Sequence, residues 1–300
     1  MSSIEFISNN LSWLPKPLTR FLEKRMKKIP AMQKMLETEN AKIMTSLEHS
    51  LKPYHDKFER ISTMPSTGIS RDKILADMQK MHDLESPTWQ NGYVSGGIYH
   101  GDSEHIDFLN KIYGLHSQSN PLHSDLFPSA TKFEAEIVSM TAHLHGKGQT
   151  TDGADIVGTI TSGGTESILV AMKSYRDRAF EEKGITAPEM IMPTTAHVAF
   201  EKAAQYFKIK MVQIPVNENF TVNPADVERA ITKNTIVIIG SAPSFPHGII
   251  DPIPELSTIA FKHGIGFHTD ACLSGYVLPF AEKMGYPVPE IDITVPGDIT

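Results

Sequence analysis

The chain has 300 residues, of which 40% are hydrophobic and 21% charged, and its formal net charge is −7. This composition is typical of a globular protein with enough apolar residues to bury a core, and it excludes an intrinsically disordered chain. The negative charge argues against a nucleic-acid partner held by bulk electrostatics, and a single cysteine, Cys272, excludes an intramolecular disulfide and a zinc site of the CxxC type.

Residues 1–90 are predicted to form a helical N-terminal segment, because apolar residues recur there at helical spacing between prolines. Within residues 13–36, Lys and Arg alternate with apolar side chains such as Trp13 and Phe21. Two interpretations stay open: a basic amphipathic helix in peripheral contact with an anionic membrane, or an arm that packs on a partner subunit. The sequence shows no transmembrane span and no signal peptide, so we expect a cytoplasmic protein or one peripheral to membranes.

Residues 91–300 are predicted to form a second domain. It opens with a glycine turn at Gly96 and Gly97 and a loop rich in His, Asn and Pro over 119–128. A helix is expected over about Lys132–His145, where apolar residues again follow helical spacing.

From Asp155 onward, short apolar strands alternate with helical patterns. This alternation predicts an α/β domain with a mostly parallel sheet. Asn223 before Pro224 is a favourable start for one of the helices. The predicted strands are 156–160, 190–192, 210–216, 235–240 and 266–270, and the predicted helices are about 166–183, 197–207, 224–232 and 254–263.

The loop Thr161–Ser167, with sequence TSGGTES, joins a predicted strand to a predicted helix. Its two glycines allow close approach of the backbone, and the free N–H groups at a helix start favour an anion. The loop is therefore a candidate phosphate cradle, although an ordinary strand-to-helix turn has the same pattern. It is neither a GxGxxG nor a GK[ST] motif, which argues against dinucleotide and P-loop nucleotide binding.

Two further polar residues lie at strand ends of the predicted sheet. Asp270 ends an apolar strand, where it would either cap the next turn or face a cation such as a protonated pyridine nitrogen. His197 opens a predicted helix after another strand, as a ring-stacking residue or an ordinary surface or core histidine. A phosphate cradle, a stacking histidine and a pyridinium-facing aspartate are together what pyridoxal 5′-phosphate (PLP) requires.

From about Val94 to Thr300 the chain resembles the sphingosine-1-phosphate lyase family, within the pyridoxal-dependent decarboxylase group of fold-type-I PLP enzymes. The SGGTES segment is shared by many PLP decarboxylases, whereas the segment ending at Tyr99, the NPLH segment and the DAC segment are more specific to the lyases. The segments that carry the resemblance are VSGGIY (94–99), NPLH (120–123), ATKFEAE (130–136), SGGTES (162–167), GSAP (240–243), FPHG (245–248) and HTDACL (268–273).

The resemblance implies cofactor contacts at several residues. Gly164, Thr165 and Ser167 would hold the cofactor phosphate. His197 would stack on the pyridine ring, as both a catalytic and a cofactor-binding residue, and Asp270 would keep the ring nitrogen protonated.

Four other residues have implied roles. Cys272 would lie beneath the ring as a buried thiol rather than a nucleophile, and Ser241 would contact the cofactor. Tyr99 and His123 would approach the substrate phosphate or assist proton transfer, at the interface of a homodimer.

The resemblance implies a fold-type-I large domain and a PLP-dependent carbon–carbon lyase. Its substrate would be a phosphorylated sphingoid base, cleaved between C2 and C3 to a long-chain aldehyde and phosphoethanolamine. Family members carry a His-Lys pair shortly after the segment matching Val295–Thr300, and that lysine binds PLP covalently. We therefore expect these 300 residues to lack the lysine, part of the large domain and the small C-terminal domain.

Three alternatives to the lyase have different requirements. A PLP-dependent amino-acid decarboxylase would share the cradle and Asp270, and a lipid-binding or dimerising module would need no catalysis. A zinc hydrolase using His143 and His145 is disfavoured, because residues two apart on a helix point to different faces and no third ligand is evident, so no metal is expected.

Overall fold

The computed structural model describes residues 29–92, 94, 97–98, 101–146, 156–289 and 298–299. The chain divides into two compact units, Met1–Ile98 and Tyr99–Thr300. Most of the basic segment 13–36 lies outside the described residues, and so does Tyr99.

The N-terminal unit contains two long helices, α1 (Pro30–Leu51) and α2 (Arg71–Gln90). The N-cap of α2 is Ser70, whose hydroxyl accepts a hydrogen bond from the Lys73 N–H. Many apolar side chains of both helices are exposed, and among the described residues of this unit only Ser86 is buried. The described part of the unit therefore has no apolar core of its own.

The second unit begins with helices α3 (Ser103–His116) and α4 (Pro128–Gly146). Asp102 caps α3 by accepting the His105 N–H at 2.8 Å. The helix predicted over 132–145 is confirmed as α4, although it begins four residues earlier, at Pro128.

A parallel sheet forms the centre of the second unit, with strand order β2-β1-β3-β4-β5. All four strand pairs are parallel, which confirms the predicted α/β architecture. Every residue of β3 is buried, as expected for a strand covered on both faces. The strands are β1 (Glu189–Pro193), β2 (Lys210–Ile214), β3 (Thr235–Ser241), β4 (Gly266–Asp270) and β5 (Asp298–Ile299).

Helices cover both faces of this sheet. On one face α5 and α6 pack against β1 and β3, through buried residues such as Met172 and Phe200. On the other face α7 and α8 pack against β3 and β4, through residues such as Val227 and Leu256. The helices after residue 160 are α5 (Gly164–Lys183), α6 (Ala199–Phe207), α7 (Pro224–Arg229), α8 (Ile253–Lys262) and α9 (Leu278–Lys283).

The strand predicted over Ile156–Ile160 is wrong, because the structure has irregular backbone there. Within the described part of the chain this segment has no paired strand, and a strand needs a hydrogen-bonded neighbour as well as β-branched residues. The Ile160 N–H donates instead to a Glu134 carboxylate oxygen at 3.2 Å, and Val157 is 84% exposed.

The variant Phe200→Ala tests how much the packing of α5 and α6 on the sheet stabilises the fold. Phe200 is fully buried, so Phe200→Ala should lower the free energy of unfolding by about 3–5 kcal/mol through lost contacts and a residual cavity. Urea denaturation followed by circular dichroism measures the loss. Tyr206→Ala on the same helix is the control, because this side chain is 65% exposed, and it should cost about 0.5 kcal/mol or less. Similar losses for the two variants would contradict this packing.

Candidate active site

The carboxyl ends of three neighbouring strands form one edge of the sheet. At the ends of β3 and β4, Ser241 and Asp270 are partners in the strand register. The Ala242 N–H donates to the Asp270 carbonyl at 2.8 Å, so the pairing continues one residue past β3. His197 lies in the loop that follows β1, the other neighbour of β3. Open parallel sheets bind ligands at such an edge.

Helix α5 brings the predicted phosphate cradle to the same edge. A Cβ atom on Gly164 would lie only 2.8 Å from Cys272 Sγ, so the first residue of α5 contacts the turn after β4. Further along α5, the Tyr175 hydroxyl donates to the carbonyl of Phe267, near the start of β4, at 2.6 Å. The helix therefore runs antiparallel to β4, and its N-terminus lies beside the carboxyl end of that strand.

The first turn of α5 has free hydrogen-bond donors. Its N-cap is Gly163, with φ +154°, a backbone conformation that favours glycine, and no side chain caps the helix. The first N–H groups of a helix have no partner within it, and the helix dipole adds positive potential there. The N–H groups of Gly164 and Thr165 are therefore suited to an anion such as phosphate.

Three side-chain contacts shape the cradle loop. The Thr161 and Ser167 hydroxyls lie 2.7 Å apart, and the Thr161 hydroxyl also donates to the Gly163 carbonyl at 3.0 Å. The Ser162 N–H donates to a Glu166 carboxylate oxygen at 2.6 Å. Hydrogen bonding from Ser162 holds the pKa of Glu166 below its usual value. Ser167 thus braces the loop, while Thr165 is exposed and available to a ligand.

Asp270 is a buried carboxylate, only 7% exposed. One oxygen accepts the Cys272 N–H at 3.1 Å, which is the turn cap that one interpretation of the sequence predicts. Within the described residues no Lys, Arg or His forms an ion pair with it. A buried carboxylate is costly without a positive partner, so its environment suits a cationic ligand atom.

Cys272 is exposed, and the expectation of a buried thiol is wrong. β4 ends at Asp270, so Cys272 belongs to the following turn, where its sulfur packs on Gly164 at the open edge. Partial desolvation and the charge of Asp270 raise the pKa of Cys272. The thiol is therefore protonated at neutral pH, a poor state for a nucleophile.

His197 is exposed and lies two residues before the first residue of α6, rather than within the helix as predicted. Its Nδ1 atom accepts the Ala199 N–H at 3.2 Å, so the ring caps the start of α6. This bond leaves the ring beside the carboxyl edge, in reach of solvent.

His123 makes no described contact with this edge. His123 is exposed in the turn after α3, and its carbonyl accepts the N–H groups of Leu126 and Phe127. Among the described residues, no hydrogen bond or ring contact joins its side chain to Asp270 or to the start of α5. The roles of His123 and Tyr99 remain predictions.

Sequence reasoning missed three buried polar residues next to strand ends at this edge. Asp251 is 3% exposed, and its carboxylate accepts the Ser241 N–H at 2.9 Å. Burial raises the pKa of Asp251 to about 6. Thr195, after β1, and Ser244, after β3, have buried hydroxyl oxygens without a partner in the described structure. The available signal for Asp251 was a charged residue directly after two isoleucines.

Comparisons with known proteins identify the family of the chain. Residues 59–292 match the model of the pyridoxal-dependent decarboxylase conserved domain. The chain belongs to the pyridoxal-dependent decarboxylase family, and its cofactor is PLP.

Among its relatives, the sphingosine-1-phosphate lyase of Arabidopsis thaliana is 43% identical over 283 residues, which are 93% of this chain and 51% of the relative. The same enzyme of Dictyostelium discoideum is 40% identical over 284 residues, 93% of this chain and 52% of the relative. The chain therefore spans about half the length of the curated relatives that it matches.

A solved structure of the Burkholderia pseudomallei sphingosine-1-phosphate lyase superposes with a TM-score of 0.79 and 42% identity, over 82% of this chain and 58% of that chain. A glutamate decarboxylase structure from Lactobacillus brevis has a TM-score of 0.65 at 18% identity, over 80% of this chain and 55% of that chain, and shows a shared fold alone. The predicted fold-type-I architecture is confirmed.

The residues at the carboxyl edge fit PLP. The N–H groups at the start of α5 match a phosphate, and buried Asp270, without a cation, matches a protonated pyridine nitrogen. The orphaned hydroxyls of Thr195 and Ser244 offer further hydrogen bonds near the same edge.

No helix among the described residues is long and apolar enough to span a membrane, and no three of their His, Cys, Asp or Glu side chains group as metal ligands. A cleft of about 390 Å³, lined by Tyr175, Lys183 and Gly266, lies at the opposite, amino edge of the sheet.

Gly164→Ala tests the close contact between α5 and the turn after β4. The added Cβ would lie 2.8 Å from Cys272 Sγ, so the cradle must shift, and we expect PLP affinity to fall by about tenfold. Equilibrium dialysis against PLP measures the affinity. Adding Cys272→Ala removes the clashing sulfur and should restore most of the loss. An unchanged affinity for Gly164→Ala alone would contradict the contact.

Asp251 should make folding stability depend on pH. Its pKa in the folded chain, about 6, lies above the ordinary value of 3.8, so the folded state binds this proton more tightly. Its contribution is therefore fully present below about pH 4 and lost as pH rises to about 6, a difference of about 3 kcal/mol. Urea denaturation at several pH values should show this slope in the difference between wild type and Asp251→Asn. A pH-independent difference would contradict the assignment.

Proposed function

We propose that this chain carries the PLP site of a lyase that cleaves phosphorylated sphingoid bases such as sphingosine 1-phosphate between C2 and C3. The products are a long-chain aldehyde and phosphoethanolamine. The observation that carries the proposal is the contact of Gly164 with Cys272, because the start of α5 then lies beside the turn that follows Asp270. Identity of 40–43% to sphingosine-1-phosphate lyases over 93% of the chain supports the substrate class.

The residues of the cradle and the strand end would bind and orient the cofactor. The N–H groups of Gly164 and Thr165 would hold the phosphate at the positive end of α5. Asp270, which is buried, would keep a proton on the pyridine nitrogen, and His197 would lie against the ring face. Bound PLP supplies an electron sink for the electron pair released when a carbon–carbon bond breaks.

The thiol of Cys272 adds no negative charge beside Asp270, because its raised pKa keeps the thiol neutral. The Asp270 carboxylate would favour a proton on the ligand nitrogen. We propose that Tyr99 and His123 bind the substrate phosphate or move the proton of the C3 hydroxyl.

The proposed enzyme is a homodimer that works in the cytoplasm or at a membrane surface. The exposed apolar side chains of α1 and α2, among them Leu51 and Leu75, support a partner surface in the N-terminal unit. Residues 13–36 would supply the membrane contact, because they combine basic and apolar side chains.

A PLP-dependent amino-acid decarboxylase is the second candidate, favoured by the family model that matches residues 59–292. The decarboxylase structure that shares the fold is only 18% identical, far below the identity to the lyases. The site residues Gly164 and Asp270 would serve either reaction.

Product analysis separates these functions. The chain, extended to the full length of its relatives so that it carries the expected lysine, is incubated with PLP and sphingosine 1-phosphate, or with glutamate and aromatic amino acids, and aldehyde, phosphoethanolamine and carbon dioxide are measured. The lyase yields the first two products from the sphingoid base alone. Carbon dioxide without aldehyde would establish the decarboxylase, and lipid binding without turnover would establish a binding module.

Asp270→Asn tests the proposed role of the buried carboxylate. Asn cannot hold a proton on the pyridine nitrogen, so we expect aldehyde release to fall by about 10²–10³-fold, as when an electrostatic stabiliser is removed. Asp226→Asn, a change at a partly exposed aspartate on α7, is the control and should leave the rate unchanged. A rate for Asp270→Asn equal to that of the control would contradict the role.

A further inference from the structure

The loop between β3 and α8 is closed at its neck by a pair of reciprocal hydrogen bonds. The Asp251 N–H donates to the Ser241 carbonyl at 2.9 Å, and the Asp251 carboxylate accepts the Ser241 N–H at 2.9 Å. Both residues are buried. Inside the loop, the Ser244 N–H donates to the Ile249 carbonyl at 2.9 Å. The loop is therefore a closed element whose base is the last residue of β3.

The same carboxylate also reaches the loop that follows β2. The backbone N–H of Val222 lies near enough to the carboxylate to lower its pKa. Two residues earlier, Phe220 has φ +61°, a strained conformation for a bulky side chain, and its ring stacks on His247 at 4.1 Å. A buried polar contact and an exposed aromatic contact thus join the loops after β2 and β3.

This junction lies one strand away from the proposed cofactor carboxylate. Ser241 is the register partner of Asp270, and the next residue, Ala242, donates its N–H to the Asp270 carbonyl. Removal of the Asp251 charge would weaken the hydrogen bond that the carboxylate accepts from the Ser241 N–H. The end of β3 would then be held less firmly against Asp270.

Ionisation of Asp251 does not stabilise the fold. Within the described residues no cation pairs with it, and its burial opposes ionisation. An ionised oxygen nevertheless makes shorter and stronger hydrogen bonds than a neutral one. Ionised Asp251 therefore lowers the free energy of unfolding at neutral pH, although its hydrogen bonds hold the end of β3.

We propose that Asp251 is a positioning residue for the cofactor site, acting through the backbone of Ser241. Its carboxylate fixes the ends of the loops after β2 and β3, and this holds the β3 end against Asp270. The proposal rests on the PLP site proposed above. It assigns no contact between Asp251 and the cofactor itself.

The test compares wild type, Asp251→Asn and the control Glu255→Gln, which removes an exposed carboxylate four residues away. Amide hydrogen exchange is measured at Ser241 and Val222, PLP affinity by equilibrium dialysis, and folding by the thermal midpoint at pH 7. Asn resembles the protonated acid in size and charge, so Asp251→Asn should fold at least as well as wild type at this pH.

We expect Asp251→Asn to exchange both amides about tenfold faster and to bind PLP about tenfold more weakly, the effect of one lost charge-assisted hydrogen bond. Glu255→Gln should match wild type in both measurements. Wild-type affinity in Asp251→Asn would overturn the positioning role alone. Failure of the wild-type chain to bind PLP would overturn the cofactor site and the positioning role together, while the exchange data would still report the hydrogen bonds.

Discussion

The parallel pairing of β3 with β4 fixes where the polar groups of the site lie. Their register puts Ser241 opposite Asp270 at one edge, and the buried strands leave little freedom for that register to slip. α5 is tied to β4 at both ends, by Gly164 on Cys272 and by the Tyr175 hydroxyl on Phe267. The start of that helix therefore cannot move independently of the carboxylate beside it.

The buried polar groups at this edge lower the stability of the fold, because they lose contact with water. Asp270 and Asp251 are buried carboxylates without an ion pair in the described structure, and Thr195 and Ser244 have buried oxygens without partners. An α/β sheet stabilised only by its apolar layers would not need any of them. All four lie next to the carboxyl end of a strand, the edge at which open parallel sheets bind ligands.

Much of the fold was predictable from the sequence, because its central strands are covered on both faces. β4 was predicted with the bounds that the structure has, and β3 to within one residue, since continuous apolar runs mark such strands. The segment 156–160 has a similar composition but no paired strand in the described structure, and sequence alone does not show which partner a strand has. Its irregular backbone could not be predicted from local pattern.

The candidate site was only partly predictable, for a related reason. Gly164 and Asp270 could be predicted because the local sequence marks their positions: the first begins a helix and the second ends a strand. The exposure of Cys272 depends on where β4 stops, which a pattern gives only to within a few residues. Asp251 draws its importance from Ser241 and Val222, residues 10 and 29 positions away in the chain, and only the folded topology brings them together.

A crystal structure of the chain grown with PLP tests the central claim most directly. We predict that the cofactor phosphate lies within hydrogen-bond distance of the Gly164 and Thr165 N–H groups, with the pyridine nitrogen against the Asp270 carboxylate. A phosphate bound at another helix start, or a pyridine nitrogen facing solvent away from Asp270, would contradict the assignment of this edge as the cofactor site.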